Sequence, residues 1–213
     1  MNDLYNFDNE YRLENDVICG VDEAGRGPLA GPVCCAAVIL NPDDIIDGVM
    51  DSKKISEKKR DFLYDEIIKR AVDYKIIFVD ERKIDEINIL NATMLGMNLA
   101  ISGLKNKPNL ALIDGNKCPE DCEINCISVV KGDFKSASIA AASILAKVTR
   151  DRYMKELAIK YPDYALDKHK GYGTKLHYEM IAKYGIQSFH RKSFLKKYCE
   201  IKYGTKQKNW YFR

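Results

Sequence analysis

An α/β fold is what three features of the sequence predict. Five short apolar runs, at 17–21, 32–40, 74–79, 110–113 and 124–130, have strand length and are rich in β-branched residues. Helical periodicity fills longer intervals, after residue 56, from about 81 to 104 and from about 134 to 160. Three of the strand runs end in a carboxylate, at Asp22, Asp114 and Asp133.

The chain has 213 residues, of which 46% are hydrophobic, enough for one sizeable core or a core with an appendage. No stretch approaches the roughly 20 apolar residues needed to cross a bilayer, and residues 1–10 lack the basic start and apolar run of a secretory signal. A cytoplasmic protein with no membrane contact is expected. The seven cysteines form an odd set without paired spacing, which suits a reducing compartment. Cys118, Cys122 and Cys126 alone invite a zinc reading, but no Cys-x2-Cys pair or nearby histidine completes a tetrahedral set. Net charge is +3 and lopsided: residues 152–213 hold 15 Lys and Arg against 5 Asp and Glu, so the first 151 residues are net acidic. An acidic body with a basic tail end suits metal in the first and a polyanion in the second; a solvated lysine-rich helix pair would give the same tally.

Residues 1–15 read as a polar lead-in that docks Tyr5, Phe7 and Tyr11 on the body. The first strand then runs into Cys19-Gly20-Val21-Asp22-Glu23-Ala24-Gly25-Arg26-Gly27-Pro28. If Val21 faces the core, alternation sends Asp22 to the other face and returns Glu23. Gly25 and Gly27 allow a polymer backbone to approach main-chain N–H groups, and Arg26 offers a fork for phosphate. A strand–turn–strand with solvated acids is the plainer reading. Gly25-x-Gly27-x-x-Ala30 imitates a dinucleotide fingerprint, but that fingerprint must open a helix, and here Pro28, Gly31 and Pro32 lead into a strand.

Asn41-Pro42-Asp43-Asp44 is a turn signal, and Ser56 is placed to cap a helix carrying Leu63, Ile67 and Ala71. Lys53 and Lys54, just before it, can reach phosphate or simply solvate the helix entry. Asp133 opens the helix near 134–160 and reads either as its N-cap or as a site carboxylate. The small residues 140–143 of that helix allow close packing on a sheet. After Pro162, residues 168–174 form a basic, glycine-bounded loop in which Tyr172 either stacks on a sugar or base or covers the core. Two basic helical segments, at about 175–184 and 192–203, precede residues 204–213, which carry no motif. The histidines, His169, His177 and His190, lack zinc-site spacing, and His169 would at most assist proton transfer.

Four acids without a cation repel one another, so Asp22, Glu23, Asp114 and Asp133 point to hard divalent ions. Two Mg²⁺ or Mn²⁺ ions about 4 Å apart activate water and stabilise a leaving oxygen in phosphodiester hydrolysis. No phosphate-binding Gly-x4-Gly-Lys loop or Gly-x-Ser-x-Gly elbow competes.

Residues 21–33, Asp51-Ser52-Lys53-Lys54, Leu112-Ile113-Asp114-Gly115, Lys131-Gly132-Asp133, residues 140–151 and Gly171-Tyr172-Gly173-Thr174 together strongly resemble bacterial ribonuclease HII, the type 2 ribonuclease H family. The resemblance runs in order over about residues 16–200. It implies a ribonuclease H-like fold, with a mixed five-stranded sheet flanked by helices. It also implies a catalytic core over residues 1–160 and a basic, helical substrate-binding region over 161–213. The implied activity is cleavage of the RNA strand of RNA–DNA hybrids and incision of DNA duplexes 5′ of single ribonucleotides, leaving 3′-hydroxyl and 5′-phosphate ends. Asp22, Glu23, Asp114 and Asp133 would be the catalytic, metal-binding carboxylates. Gly25, Arg26 and Gly27 would read the ribonucleotide 2′-hydroxyl and Tyr172 would stack on the next sugar. Lys53, Lys54 and Lys147 would contact substrate, although Lys147, Arg150 and Asp151 equally suit a helix-surface salt-bridge network. Type 3 enzymes carry an extra N-terminal domain and lack the tyrosine, so type 2 is expected because the carboxylate motif begins by residue 22. A hybrid-only type 3-like nuclease and a silent nucleic-acid binder on the same fold are the alternatives, and no protein partner is expected.

Overall fold

The computed structural model describes residues 3–49 and 55–203. In chain order it comprises α1 (Asp3–Arg12), β1 (Ile18–Ala24), β2 (Val33–Ile39), α2 (Glu57–Arg70), β3 (Asp73–Val79), α3 (Glu81–Ser102), β4 (Leu110–Asp114), β5 (Asn125–Val129), α4 (Ala137–Lys160), α5 (Leu166–His169), α6 (Lys175–Tyr184) and α7 (Lys192–Tyr203). The five strands form one mixed sheet in the order β3-β2-β1-β4-β5. β1 pairs antiparallel with β2 and β2 with β3, whereas β1–β4 and β4–β5 are parallel. The α/β expectation and the five strands therefore hold.

Both sheet faces are covered, which is why β2 is apolar at every position rather than alternating. On one face Cys34, Ala36 and Val38 pack with Leu63 and Ile67 of α2 and the alanine-rich start of α4. On the other, Cys35, Ala37 and Val21 pack with Ile84, Met97 and Ala100 of α3. Gly20 governs how close α4 comes: a Cβ there would lie 2.1 Å from the Ser138 backbone, so only glycine admits the helix.

Local chemistry sets several ends. Ser56 caps α2, its hydroxyl accepting the Lys59 N–H, as the sequence predicts. One of two alternatives is excluded and two other readings gain detail. The lead-in is a helix over residues 3–12 that docks Tyr5, Phe7 and Tyr11 on the body as expected, and its buried Asp8 reaches the start of α4, accepting from the Ser138 N–H at 2.8 Å and its hydroxyl at 2.7 Å. Asp133 does not cap α4. Ser136 does, and Asp133 sits in a separate 3-10 turn, Gly132–Phe134, entered through Lys131 at φ 57°. α3 is kinked at Asn88, φ 67°, whose side-chain oxygen accepts the Asn91 N–H and restarts the helix.

The segment after α4 is held together internally by a buried histidine row. His169 and His177 stack with centroids 4.2 Å apart, and the Nε2 atoms of His177 and His190 are 3.2 Å apart. The Tyr172 carbonyl only accepts, so His177 Nδ1, 3.0 Å away, carries the proton and its Nε2 accepts from His190. His190 Nδ1 then accepts the Gln187 N–H at 2.9 Å. His169 is engaged on both nitrogens, by the Tyr164 carbonyl and the Gly171 N–H, which makes it a bracket for the loop instead of a proton carrier. All three are neutral in this arrangement. Sequence spacing could not show the row, because it forms across three separate segments.

Burial, aided by the neighbouring imidazole, pushes His177 down to about 4 and His190 to about 3. The unfolded chain protonates these rings near pH 6.5, so their contribution to stability is complete above that pH. It is lost as pH falls through the folded-state values. NMR titration of the imidazole ring protons should place both midpoints below pH 5; midpoints near 6.5 would show that the row does not exclude protons.

Candidate active site

β1 and β4 run parallel with Val21 opposite Ile113, so the next rung brings Asp22 and Asp114 side by side at the same end of the sheet. Asp22 lies on the α4 face with Gly20, and Glu23 on the opposite face with Val21, as strand alternation predicts. Asp22 is 4% exposed, accepts the Glu23 N–H at 2.7 Å and takes the Ser143 hydroxyl from α4. Burial pushes its carboxyl well above the usual range, and the charges of Glu23 and Asp114 push it further. Asp114 in turn accepts the Gly132 N–H at 2.7 Å, which ties β4 to the turn carrying Asp133, itself 3% exposed.

Among the described residues no three acidic, histidine or cysteine side chains come together in a group that could hold a metal ion. The donors stand instead at two neighbouring strand ends and one turn. Their chemistry suits a hard divalent cation: every donor is a carboxylate oxygen, and the proton affinity of Asp22 is raised by like charges that a cation would offset. Waters and substrate oxygens ordinarily complete such open sites.

The glycine turn follows at once. Gly25 adopts φ 97°, and a Cβ there would lie 2.0 Å from Arg150 Nε, so both backbone shape and space demand glycine. Arg26 and Gly27 are exposed, and Arg26 Nη1 lies 3.4 Å from Glu23 Oε1. Gly27 is covered only by Tyr172, whose ring carbon is 3.7 Å from its Cβ position. Tyr172 is 45% exposed and so presents a ring beside the turn rather than covering the core.

Lys147 lies one helical turn beyond Ser143 on α4 and bonds Asp151 at 2.7 Å, the salt bridge that i,i+4 spacing allows. Arg150 departs from that surface network. It is buried, and its guanidinium donates to the carbonyls of Pro32, Ala30 and Lys170. Lys53 and Lys54 lie outside the described residues. Two contributors escaped the sequence reading: Ser143, hidden in an alanine run, and Arg191, which donates to the Gly25, Arg26 and Gly31 carbonyls. Neither carries a local spacing signal.

Comparisons with known proteins bear on the family and the fold. The family model described as Ribonuclease HII matches residues 19–197. A ribonuclease HII from Caldicellulosiruptor bescii is 55% identical over 193 residues, 89% of this chain and 93% of that one. A ribonuclease HII from Vibrio parahaemolyticus is 54% identical over 185 residues, 87% of each chain. Among solved structures, the ribonuclease H2 of Pyrococcus horikoshii superposes with TM-score 0.70 at 29% identity, covering 83% of this chain and 93% of that one. A Bst-RNase HIII in complex with Mn²⁺ shares the fold at TM-score 0.62 and 19% identity, over 79% of this chain and 63% of its own. The sheet, its strand-end acids and these matches lead to one conclusion: the chain belongs to the ribonuclease HII family.

Proposed function

We propose that the chain is a metal-dependent endoribonuclease that cleaves the RNA strand of RNA–DNA hybrids and also incises a DNA duplex 5′ of a single embedded ribonucleotide. Membership of the family supports the coarser statement, a ribonuclease H hydrolase acting on RNA–DNA hybrids. The finer one rests chiefly on one observation, the placement of the half-exposed Tyr172 ring 3.7 Å from where a Cβ on Gly27 would lie, just after the Asp22–Glu23 strand end. A 2′-hydroxyl reader and a stacking ring then face the same nucleotide step.

In this reading Asp22, Glu23, Asp114 and Asp133 would hold two Mg²⁺ or Mn²⁺ ions, which would supply Lewis acidity and make water a better nucleophile. Ser143 and the Glu23 N–H orient Asp22, and the Gly132 N–H orients Asp114. The turn at Gly25–Gly27 offers backbone N–H groups to the ribose hydroxyl, and exposed Arg26 offers its guanidinium to a phosphate. Tyr172 stacks on the following deoxyribose. Water oxygen bonds to phosphorus as the P–O3′ bond breaks, leaving a 3′-hydroxyl and a 5′-phosphate. Lys147, Lys53 and Lys54 contribute positive charge near the duplex. Residues 1–160 act as the catalytic core and the basic residues 161–213 as the duplex-holding part. The six free cysteines of the described residues suit the reducing cytoplasm, where we place the enzyme, and none of the described helices is long and apolar enough to cross a membrane.

A duplex with one ribonucleotide, incubated with Mg²⁺ or Mn²⁺, should be cut on the 5′ side of that residue. Cleavage confined to continuous hybrids would favour a type 3-like enzyme, and retention of the uncut duplex a silent binder. Asp114→Asn retains an oxygen to accept the Gly132 N–H but removes a charge; kcat should fall about 10³-fold or more with affinity within about threefold. A parallel loss of binding in a gel-shift measurement would contradict that role. Tyr172→Ala should reduce single-ribonucleotide incision roughly tenfold more than hybrid cleavage, since stacking on an aromatic contributes about 1–3 kcal/mol. Equal losses on both substrates would discard the stacking assignment.

A further inference from the structure

We propose that Arg191 is a positioning residue that aims the backbone of the Gly25–Gly27 turn at the substrate and sets its distance from Tyr172. The inference rests on the reading of that turn as the ribonucleotide sensor. Arg191 is 0% exposed, and its guanidinium donates only to backbone: Nη2 to the Gly25 carbonyl at 2.6 Å, Nη1 to Arg26 at 2.9 Å and Nε to Gly31 at 2.8 Å. In a planar trans peptide the C=O and N–H point in opposite directions. Holding the Gly25 and Arg26 carbonyls inward therefore turns the N–H groups of Arg26 and Gly27 outward. Neither N–H is taken by another group among the described residues.

The same segment reaches the tyrosine loop. The Arg191 N–H donates to the Leu29 carbonyl and the Gly31 N–H to the Phe189 carbonyl, a short bridge around Ala30 and His190. The Leu29 N–H donates to the Gly171 carbonyl, one residue before Tyr172, and His177, bonded to His190, holds the Tyr172 carbonyl. One arginine and its neighbours thus fix both readers of the nucleotide step. Lysine keeps the charge but has no planar fork to span three carbonyls.

The test uses Arg191→Lys and Arg191→Met in the uncleaving Asp114→Asn background, with fold checked by circular dichroism. Affinity is measured for a duplex with one ribonucleotide and for the all-DNA duplex. Arg191→Lys should lose tenfold or more of the preference for the ribonucleotide, with all-DNA affinity unchanged within threefold, and Arg191→Met should lose more. A folded variant that keeps the preference, or loses both affinities together, overturns the proposal. Amide hydrogen exchange separates this from the function reading. In the otherwise unmodified protein the Arg26 and Gly27 amides should exchange fast while those of Gly31 and Arg191 are protected, and Arg191→Lys should speed exchange within residues 24–32. If the unsubstituted turn shows no ribonucleotide preference, the sensor reading fails, and the exchange result alone decides the role of Arg191. Protected Arg26 and Gly27 amides, or exchange unchanged by Arg191→Lys, overturn it.

Discussion

The parallel pairing of β1 with β4 is the constraint on which the site depends. It joins segments some 90 residues apart in sequence and puts Asp22 and Asp114 on one rung. No turn can make this junction, because parallel neighbours need a crossover, here supplied by β2, β3 and the helices between them. α4 then closes over the rung because Gly20 yields its side-chain space, and Ser143 arrives at Asp22 as a consequence. Burial and like charge both disfavour ionised Asp22, so the fold holds this acid in a condition that stability alone would not select.

Behind the turn lies the opposite problem, two buried guanidiniums. An unsatisfied buried charge costs several kcal/mol, roughly, and hydrogen bonds to charged groups return about 1.5–3 kcal/mol each. Arg150 and Arg191 each find three backbone carbonyls, with Glu81 and Asp85 adding favourable charge to Arg191. The carbonyls so engaged belong to residues 25–32 and to Lys170, which stiffens an otherwise irregular loop. Positive charge is also stored close to where an anionic backbone is proposed to lie. On the proposed reading, acids at the strand ends and arginines beneath the turn divide the work, the first to draw cations and the second to shape the amides.

What the sequence displays is local. Strand-length apolar runs, the Ser56 cap and the two basic helices near the C-terminus follow from composition and periodicity, and each appears in the structure. The recurrence of a carboxylate after three strands was legible for the same reason. Arg191 was not, since its acceptors lie about 160 residues earlier in the chain and no periodicity marks a residue that bonds only backbone. The histidine row is hidden likewise, because His169, His177 and His190 come from three separate segments and are neighbours only in space. Of the two readings of Asp133 the sequence alone does not exclude the cap, because Asp before a helix favours capping; Lys131 in the left-handed region and the intervening 3-10 turn leave that task to Ser136.

The central claim is that the strand-end carboxylates hold a surplus of negative charge that a divalent cation relieves. Thermal unfolding with increasing Mn²⁺ addresses it without any turnover. A ligand at about 100 times its Kd stabilises by about 2.7 kcal/mol, which in a chain of this size raises Tm by roughly 5–10 °C. Such a rise in the unmodified protein, absent from Asp22→Asn/Asp114→Asn, is the expected result; no rise, or the same rise in both, would contradict the account.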